Sequence, residues 1–314
     1  MGFDLSLDIL LSAAENAVEK KLTGMAAPLP SYINRVYEFR AVDGTKIIAK
    51  FYRPGRWNSQ AIADEHAFLK ELQDAEVPVV APLQLQNGST VGETNGVFFA
   101  LFPKKAGRQL EINSWEEWLR IGMLTSRIHC VGALQKAHSR VQINPALSTT
   151  QDLEFLQKQV IPSRYKDTYS KVVNDIITIS KPLFNTIETI RIHGDLHRGN
   201  VLDRMDEGLF IIDFDDMAMG PPVQDLWLLL PDRLDNSRSE LELFLEGYEQ
   251  FREFDRSSLK CIEPLRAMRM IYFLAWCSRQ IDDFQFRKNF PDWGNDSFWQ
   301  KEINDLKDQL KFIK

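Results

Sequence analysis

The sequence predicts an α+β fold in two lobes, a small β-rich N-terminal lobe and a larger, mainly helical C-terminal lobe. Three observations carry this. Apolar runs of strand length, separated by hairpin turn signals, occupy much of the chain from about 36 to 102. A polar, breaker-rich segment follows, Pro103-Lys104-Lys105-Ala106-Gly107. Beyond it, amphipathic stretches of helix length dominate, interrupted by one short β-rich island over 189–215. The lobes are drawn at 1–103 and 104–314, and the hinge cleft between two such lobes is where a small-ligand site is expected.

The elements can be justified in order. Residues 5–22 read as an amphipathic helix ended by Gly24 and Pro28. Val36-Tyr37-Glu38-Phe39 alternates as a strand, Asp43-Gly44 is a turn signal, and residues 46–52 form a second strand. Arg53-Pro54-Gly55 breaks it, and a helix over 59–73 follows with Asn58 or Ser59 as N-cap. Pro78 and Pro82 bracket an extended stretch, Asn87-Gly88 turns, and residues 97–102 are a buried strand. Helices are then expected over 114–136, 150–160, 165–180, 223–230, 238–252, 263–281 and 297–312.

Composition excludes several classes. Lys plus Arg total 38 against 44 Asp plus Glu, a net charge of −6, which argues against a broad nucleic-acid footprint. With 44% apolar and 26% charged residues the chain is not globally disordered. Cys130, Cys261 and Cys277 are far apart and no CxxC exists, so neither a disulfide framework nor a cysteine zinc cage is supported. The N-terminus, including Asp4, lacks the basic region of a signal peptide, and Met1-Gly2 opens only a weak myristoylation pattern. No apolar run approaches the ~18 residues of a membrane span. A cytoplasmic monomer without membrane partners is expected.

The densest chemistry lies in Arg191-Ile192-His193-Gly194-Asp195-Leu196-His197-Arg198-Gly199-Asn200, a His-x-Asp-x-x-x-x-Asn skeleton. After a turn at Asp206-Glu207-Gly208 comes Ile211-Ile212-Asp213-Phe214-Asp215-Asp216. Phosphoryl transfer needs one carboxylate to take the acceptor proton, plus an Asn oxygen and a second carboxylate to hold Mg²⁺ against the phosphates. Asp195 fits the base; Asn200 and Asp213 fit the metal ligands. Asp215 and Asp216 either support that site or are simply solvated. His193 and His197 as a zinc pair lack a third ligand, and Gly194 between them argues against a metal-binding helix. His193 reads as a brace of the loop; His197 reads equally as catalytic or structural.

From residue 28 to about 300 the chain resembles the protein-kinase-like phosphotransferases of the aminoglycoside and choline kinase type, and within them the bacterial stress response kinase A group. The residues carrying the resemblance include Ser31-Tyr32-x-Asn34-Arg35-Val36-Tyr37-x-Phe39, Lys50-Phe51-Tyr52-Arg53-Pro54-x-Arg56-Trp57, Glu65-His66, HGDLHRGN, Gly220-Pro221-x-Val223-Gln224-Asp225-Leu226-Trp227 and Glu263-Pro264-Leu265-Arg266-Ala267-Met268-Arg269. The resemblance implies a bilobal kinase-like fold. It also implies Mg²⁺-dependent transfer from ATP to protein Ser/Thr hydroxyls, the chain's own included, in a stress response. It assigns Asp195 as proton acceptor, Asn200 and Asp213 as Mg²⁺ ligands and Lys50 as the phosphate-binding lysine. Two features depart from protein kinases: no GxGxxG covers the phosphates, and no Ala-Pro-Glu segment follows Asp213.

Other residues admit two readings. Lys50 either grips the α- and β-phosphates, held by Glu65 from the following helix, or is an edge-strand lysine reaching solvent. Glu65 is either that partner or a solvated helix charge beside Asp64. The loop at 30–35 is either a phosphate clamp, with Ser31 the best contact and Asn34 and Arg35 beside it, or an ordinary turn. The aromatics of Phe98-Phe99-Ala100-Leu101-Phe102 are core in preference to an adenine clamp. Asp225 reads as a helix cap or a support for the catalytic loop, Trp227 and the region of Trp276 as core. Arg266, Arg269 and Arg279 read as a solvated face or a docking stripe. Three functions follow: a Ser/Thr protein kinase, a small-molecule hydroxyl kinase of the aminoglycoside, choline or homoserine type, and a nucleotide-binding pseudokinase. The intact Asp195, Asn200, Asp213 and Lys50 count against the last.

Overall fold

The computed structural model describes residues 5–31, 33–204 and 207–314; Met1, Gly2, Asp4, Tyr32 and Asp206 of the sequence reading lie outside them. In chain order the elements begin with α1 (Leu7–Val18), β1 (Leu22–Leu29), β2 (Arg35–Ala41), β3 (Lys46–Phe51) and α2 (Ser59–Asp74). Then come β4 (Gly92–Thr94), β5 (Val97–Pro103), β6 (Arg108–Gln109), α3 (Trp115–Gly132), α4 (Thr150–Gln159) and α5 (Ser163–Phe184). β7 (Ile190–Ile192), β8 (Val201–Arg204), β9 (Gly208–Ile211) and β10 (Ala218–Gly220) form the β-rich island. The chain closes with α6 (Val223–Trp227), α7 (Arg238–Tyr248), α8 (Ile262–Ser278), α9 (Phe284–Asn289) and α10 (Asp296–Ile313). Two compact units result. One comprises Met1–Arg140, His193–Met217 and Leu229–Glu253, the other Val141–Ile192, Ala218–Leu228 and Phe254–Lys314. The sequence division at 103/104 follows composition; these units follow packing.

The first unit is built on an antiparallel sheet of order β1-β2-β3-β5-β4. Leu10 and Ala14 of α1 join Phe39, Ile47, Phe51 and Leu101 of the sheet in one apolar core. The helix is shorter than its apolar pattern suggested. Glu19 leaves it with φ 49°, and the Glu15 carboxylate accepts the Leu22 N–H, which starts a strand the sequence concealed. Gly24 and Pro28 looked like breakers, yet β1 is an edge strand. There a proline needs no ladder partner on its outer side, and the register shift between Leu22 and Ala26 absorbs the glycine at φ 78°.

α2 starts as expected at Asn58, whose Oδ1 accepts the Ala61 N–H at 2.8 Å. α3 opens with a capping box between Ser114 and Glu117. It packs closely on α7 through two glycines: a Cβ on Gly122 would stand 2.1 Å from the Phe244 carbonyl, and one on Gly247 2.1 Å from that of Leu119. A second sheet, β6-β8-β9, follows the polar linker.

The second unit is helical apart from the β7–β10 pair. Leu153 and Leu156 of α4, Tyr169, Val173 and Ile176 of α5, Ile271 and Leu274 of α8, and Trp299, Ile303 and Leu306 of α10 form its apolar core. Among the described residues, no helix is long and apolar enough to cross a membrane.

Candidate active site

The loop after β7 is held by its own polar groups. Gly194 turns it at φ 84°, a backbone that favours glycine. His193 is buried, and its Nε2–H donates to the Ile212 carbonyl at 2.9 Å while Nδ1 accepts the Asp195 N–H at 3.2 Å. Those partners fix its tautomer. His197 accepts the Gly199 N–H on Nδ1 at 3.0 Å and brings Nε2 to 3.6 Å from Asp195 Oδ2. Asn200 donates from Nδ2 to the Asp195 carbonyl at 2.9 Å, leaving Oδ1 as the acceptor of its amide. The Asn200 carbonyl takes the Ile212 N–H at 3.0 Å, tying the loop to the approach of Asp213.

Asp213 stands just beyond β9 with φ 62° and ψ 64°, a left-handed conformation that Asp tolerates better than most residues. Its side chain is half exposed, and its Oδ1 accepts from Lys50 Nζ at 2.7 Å. Lys50, buried on β3, also lies 3.5 Å from Asp215 Oδ1. Asp215 Oδ2 in turn receives Arg56 Nη1 at 2.6 Å and Asn34 Nδ2 at 3.1 Å. Arg56 reaches Asp216 Oδ1 with its other nitrogen at 2.7 Å.

Behind these, Arg140 is fully buried beneath the Trp57 ring, 4.1 Å from its centroid. It donates to the carbonyls of Met217 at 2.8 Å, Asp215 at 2.6 Å, Phe214 at 3.3 Å and Ala61 at 3.3 Å. Its Nη2 lies 3.6 Å from Glu65 Oε2. One guanidinium therefore binds both α2 and the 214–217 segment, a use suited to its rigid fork of donors.

The charges in this interior answer one another. Burial opposes the charged form of Lys50, but Asp213, Asp215 and Glu65 outweigh it and hold the ammonium well above its usual range. Burial likewise opposes Asp215, but Lys50, Arg56 and Arg140 keep its carboxyl well below the usual carboxylate range. Glu65 has weaker compensation, and burial pushes it up to about 7 despite Lys50 and Arg140. His66 is driven down to about 3 by burial and by the cations Lys50 and Arg140, and its neutral ring bridges Tyr52 and Thr90.

A model of the phosphotransferase enzyme family matches residues 26–261. The chain belongs to that family. It is 38% identical over 289 residues to stress response kinase A of Escherichia coli (strain K12), covering 91% of this chain and 87% of the relative. The same identity over 288 residues relates it to the serine/threonine protein kinase RdoA of Salmonella typhimurium (strain LT2), again covering 91% and 87%. Among solved structures, amicoumacin kinase hAmiN, in complex with AMP-PNP, Ca²⁺ and Ami, superposes with a TM-score of 0.75 at 18% identity, over 95% of this chain and 93% of that one. Choline kinase LicA from Streptococcus pneumoniae gives a TM-score of 0.63 at 16% identity, over 93% and 94%. The phosphotransferase fold is thus kinase-like, with a β-sheet N-terminal part and a helical C-terminal part.

Against the sequence reading of this phosphotransferase, the structure joins Asp195 to Asn200 and Lys50 to Asp213. The expected pairing of Lys50 with Glu65 is replaced: Lys50 meets Asp213 and Asp215, while Glu65 meets Arg140. Glu65 is not a solvated helix charge either, being 1% exposed. Ser31 is exposed, and its Oγ accepts at 3.3 Å the backbone N–H of Asn34, the residue whose side chain holds Asp215. Arg35 donates to the Leu5 carbonyl. Phe99 is core beside Phe51. In the second unit Asp225 is buried within α6, Arg266 lies over Trp227 at 4.8 Å, and Arg279 lies over Phe155 at 4.2 Å. That gives two members of the expected solvated or docking stripe aromatic partners. Around Trp276, Ile271, Leu274, Ala275 and Cys277 are buried as expected of core, while the Trp276 ring itself is partly buried and stacks on exposed Phe273.

Arg140 escaped the sequence reading because nothing local marks it; its partners lie 74–79 residues away. Arg56 stood in a noticed RPxRW segment, yet its carboxylate partners are 160 residues off in sequence or nearly so.

Proposed function

We propose that this phosphotransferase moves the γ-phosphoryl group of ATP to Ser and Thr hydroxyls of proteins, its own included, with Mg²⁺, as a cytoplasmic stress-response kinase. The observation that carries the protein acceptor is the 38% identity along 91% of the chain with relatives called stress response kinase A and, in one case, serine/threonine protein kinase. The fold neighbours include an amicoumacin kinase and a choline kinase, but at 16–18% identity they speak for architecture alone.

In this reading Asp195 orients the acceptor hydroxyl and takes its proton as the oxygen attacks the γ-phosphorus. The new O–P bond forms while the bond to the ADP oxygen breaks. Asn200 supports that carboxylate through its bond to the Asp195 carbonyl, and His193 holds the loop backbone. Lys50 grips the α- and β-phosphates, with Ser31 offering a hydroxyl from the preceding loop. Asn200 Oδ1 and the Asp213 carboxylate would hold the cation, which when bound neutralises phosphate charge. The donor set suits it. Among the described residues no three His, Cys, Asp or Glu converge as a cage. Two oxygen donors match Mg²⁺, which takes the rest of its shell from phosphates and water.

The test is to incubate the purified protein with γ-labelled ATP and Mg²⁺, offering generic protein substrates in one arm and hydroxyl metabolites in the other. Label on Ser or Thr of protein is the expected result. Turnover of a metabolite alcohol at ~1–100 s⁻¹, the ordinary kinase range, with no labelled protein would replace this reading by the small-molecule one.

A further inference from the structure

In the interior described above, the lysine of β3 lies between three carboxylates, and their geometries are not equivalent. Glu65, on α2, has its Oε2 3.6 Å from Arg140 Nη2, a nitrogen already donating to the Phe214 and Asp215 carbonyls, and that oxygen accepts no hydrogen bond. Asp213 takes the shortest contact from Lys50 but is half exposed, and its role as cation ligand would withdraw it. Asp215 is different. It is 4% exposed, and its Oδ2 is fixed by Arg56 at 2.6 Å and Asn34 at 3.1 Å. Its Oδ1 accepts no hydrogen bond, and the Lys50 ammonium stands 3.5 Å away. A buried carboxylate oxygen without a hydrogen bond, beside an ammonium with three donors, is an interaction held ready.

We propose that Asp215, clamped by Arg56 and Asn34, is the positioning residue of Lys50, the part the sequence reading gave to Glu65. The inference rests on Lys50 being the phosphate-binding lysine. Asp215 touches neither phosphate nor acceptor. It acts by holding the ammonium at the end of β3 while Asp213 serves the cation. The clamp also explains the Asn34 side chain. Its Oδ1 accepts the Arg53 N–H at 3.2 Å while Nδ2 holds Asp215, so the residues after β3 and the 213–216 segment share one amide. Arg56, between Asp215 and Asp216, completes that seam. Glu65, by contrast, faces Arg140, which itself holds the backbone of 214–217.

The test is a double-mutant cycle read on equilibrium affinity for a fluorescent ATP analogue, in Mg²⁺ and again in EDTA. Lys50→Ala and Asp215→Asn should each weaken binding about 10-fold, the scale of a lost charge-assisted hydrogen bond. The double variant should be little worse than either single variant, because both remove one interaction. Glu65→Gln, whose charge acts on Lys50 without a close contact, should couple to Lys50→Ala less strongly than Asp215→Asn does. Should Asp215→Asn lose its cooperative unfolding transition, Asn34→Ala, which releases one arm of the clamp, is read in the same cycle and should also couple to Lys50. Additivity of Asp215 and Asn34 with Lys50, or stronger coupling of Lys50 to Glu65 than to Asp215, would overturn the inference. Coupling confined to the Mg²⁺ samples would overturn it too, by making Asp215 a cation ligand. If Lys50→Ala alone left affinity unchanged, the fault would lie earlier, in the phosphate role of Lys50, and the inference would fall with it.

Discussion

Two interiors of this chain are built on opposite principles. The core of α4, α5, α8 and α10 is apolar, centred on residues such as Tyr169, Ile271, Trp299 and Leu306. The interior around β3, α2 and 213–217 buries Lys50, Glu65, Arg140 and Asp215, with Arg56 partly buried at its margin. In the first, stability comes from area removed from water and tolerates changes that keep volume. In the second, every charge is tolerable only while its partner stays, so the arrangement fixes geometry more than it adds stability. Position is what phosphoryl transfer asks of a protein, since there is little covalent chemistry for it to perform.

The largest expected effect separates chemistry from both interiors. Asp195→Ala should lower turnover about 10²–10⁴-fold, the usual share of general-base catalysis, while thermal unfolding stays near that of the parent. Near-normal kcat would remove Asp195 from the reaction.

Next come truncations of equal thermodynamic size and different meaning. Trp299→Ala should lower unfolding free energy by ~3–5 kcal/mol through lost burial and a cavity, with kcat per folded molecule unchanged. Arg140→Ala should lower it by a similar ~3–5 kcal/mol by stranding Glu65, but here kcat should fall as well, because 214–217 loses its anchor. Urea titrations paired with single-turnover assays would expose the contrast. Equal kinetic behaviour in the two variants would erase it.

A smaller effect is a pH dependence in the charged interior. Glu65, facing Lys50, Arg140, Asp215 and Asp213, is raised from an ordinary 4.5 to about 7. The folded state therefore binds this proton more tightly than the unfolded state, and its contribution to stability falls as pH rises between those values. Relative to Glu65→Gln, the parent should lose melting temperature from about pH 5 to about pH 8; parallel curves would contradict the shift. Smallest of all, Asn58→Ala should cost about 1 kcal/mol by uncapping α2, measurable by chemical denaturation, with no change in the Asp195 chemistry.

How much of this was legible depends on distance along the chain. α2 with its Asn58 cap, β3, β5 and the helices α4, α5, α6, α8 and α10 of the second unit were visible because their signals are periodic and local. β1 was hidden because its Gly24 and Pro28 are acceptable only at a sheet edge, and edge position is a property of the assembled sheet. Asp195, Asn200 and Asp213 became candidates from spacing within one short stretch. Arg140 and the hold of Arg56 and Asn34 on Asp215 did not, because they join segments 74–181 residues apart, and one sequence carries no trace of such pairings. The sequence reading paired Glu65 with Lys50; in the fold its nearest cation is Arg140, 75 residues on, which no local signal announced.

The edge at β1 has one more consequence. An open sheet edge is a template on which another molecule can lay a strand, and unprotected edges lead to fibrous association. Here the outer strand carries a proline with no N–H to offer and an irregularity that twists its line, while the opposite edge, β4, spans only Gly92–Thr94. Neither side gives an incoming chain a long run of unpaired backbone. A polypeptide laid against either edge would have to be held by its side chains, and the sheet would keep its five strands.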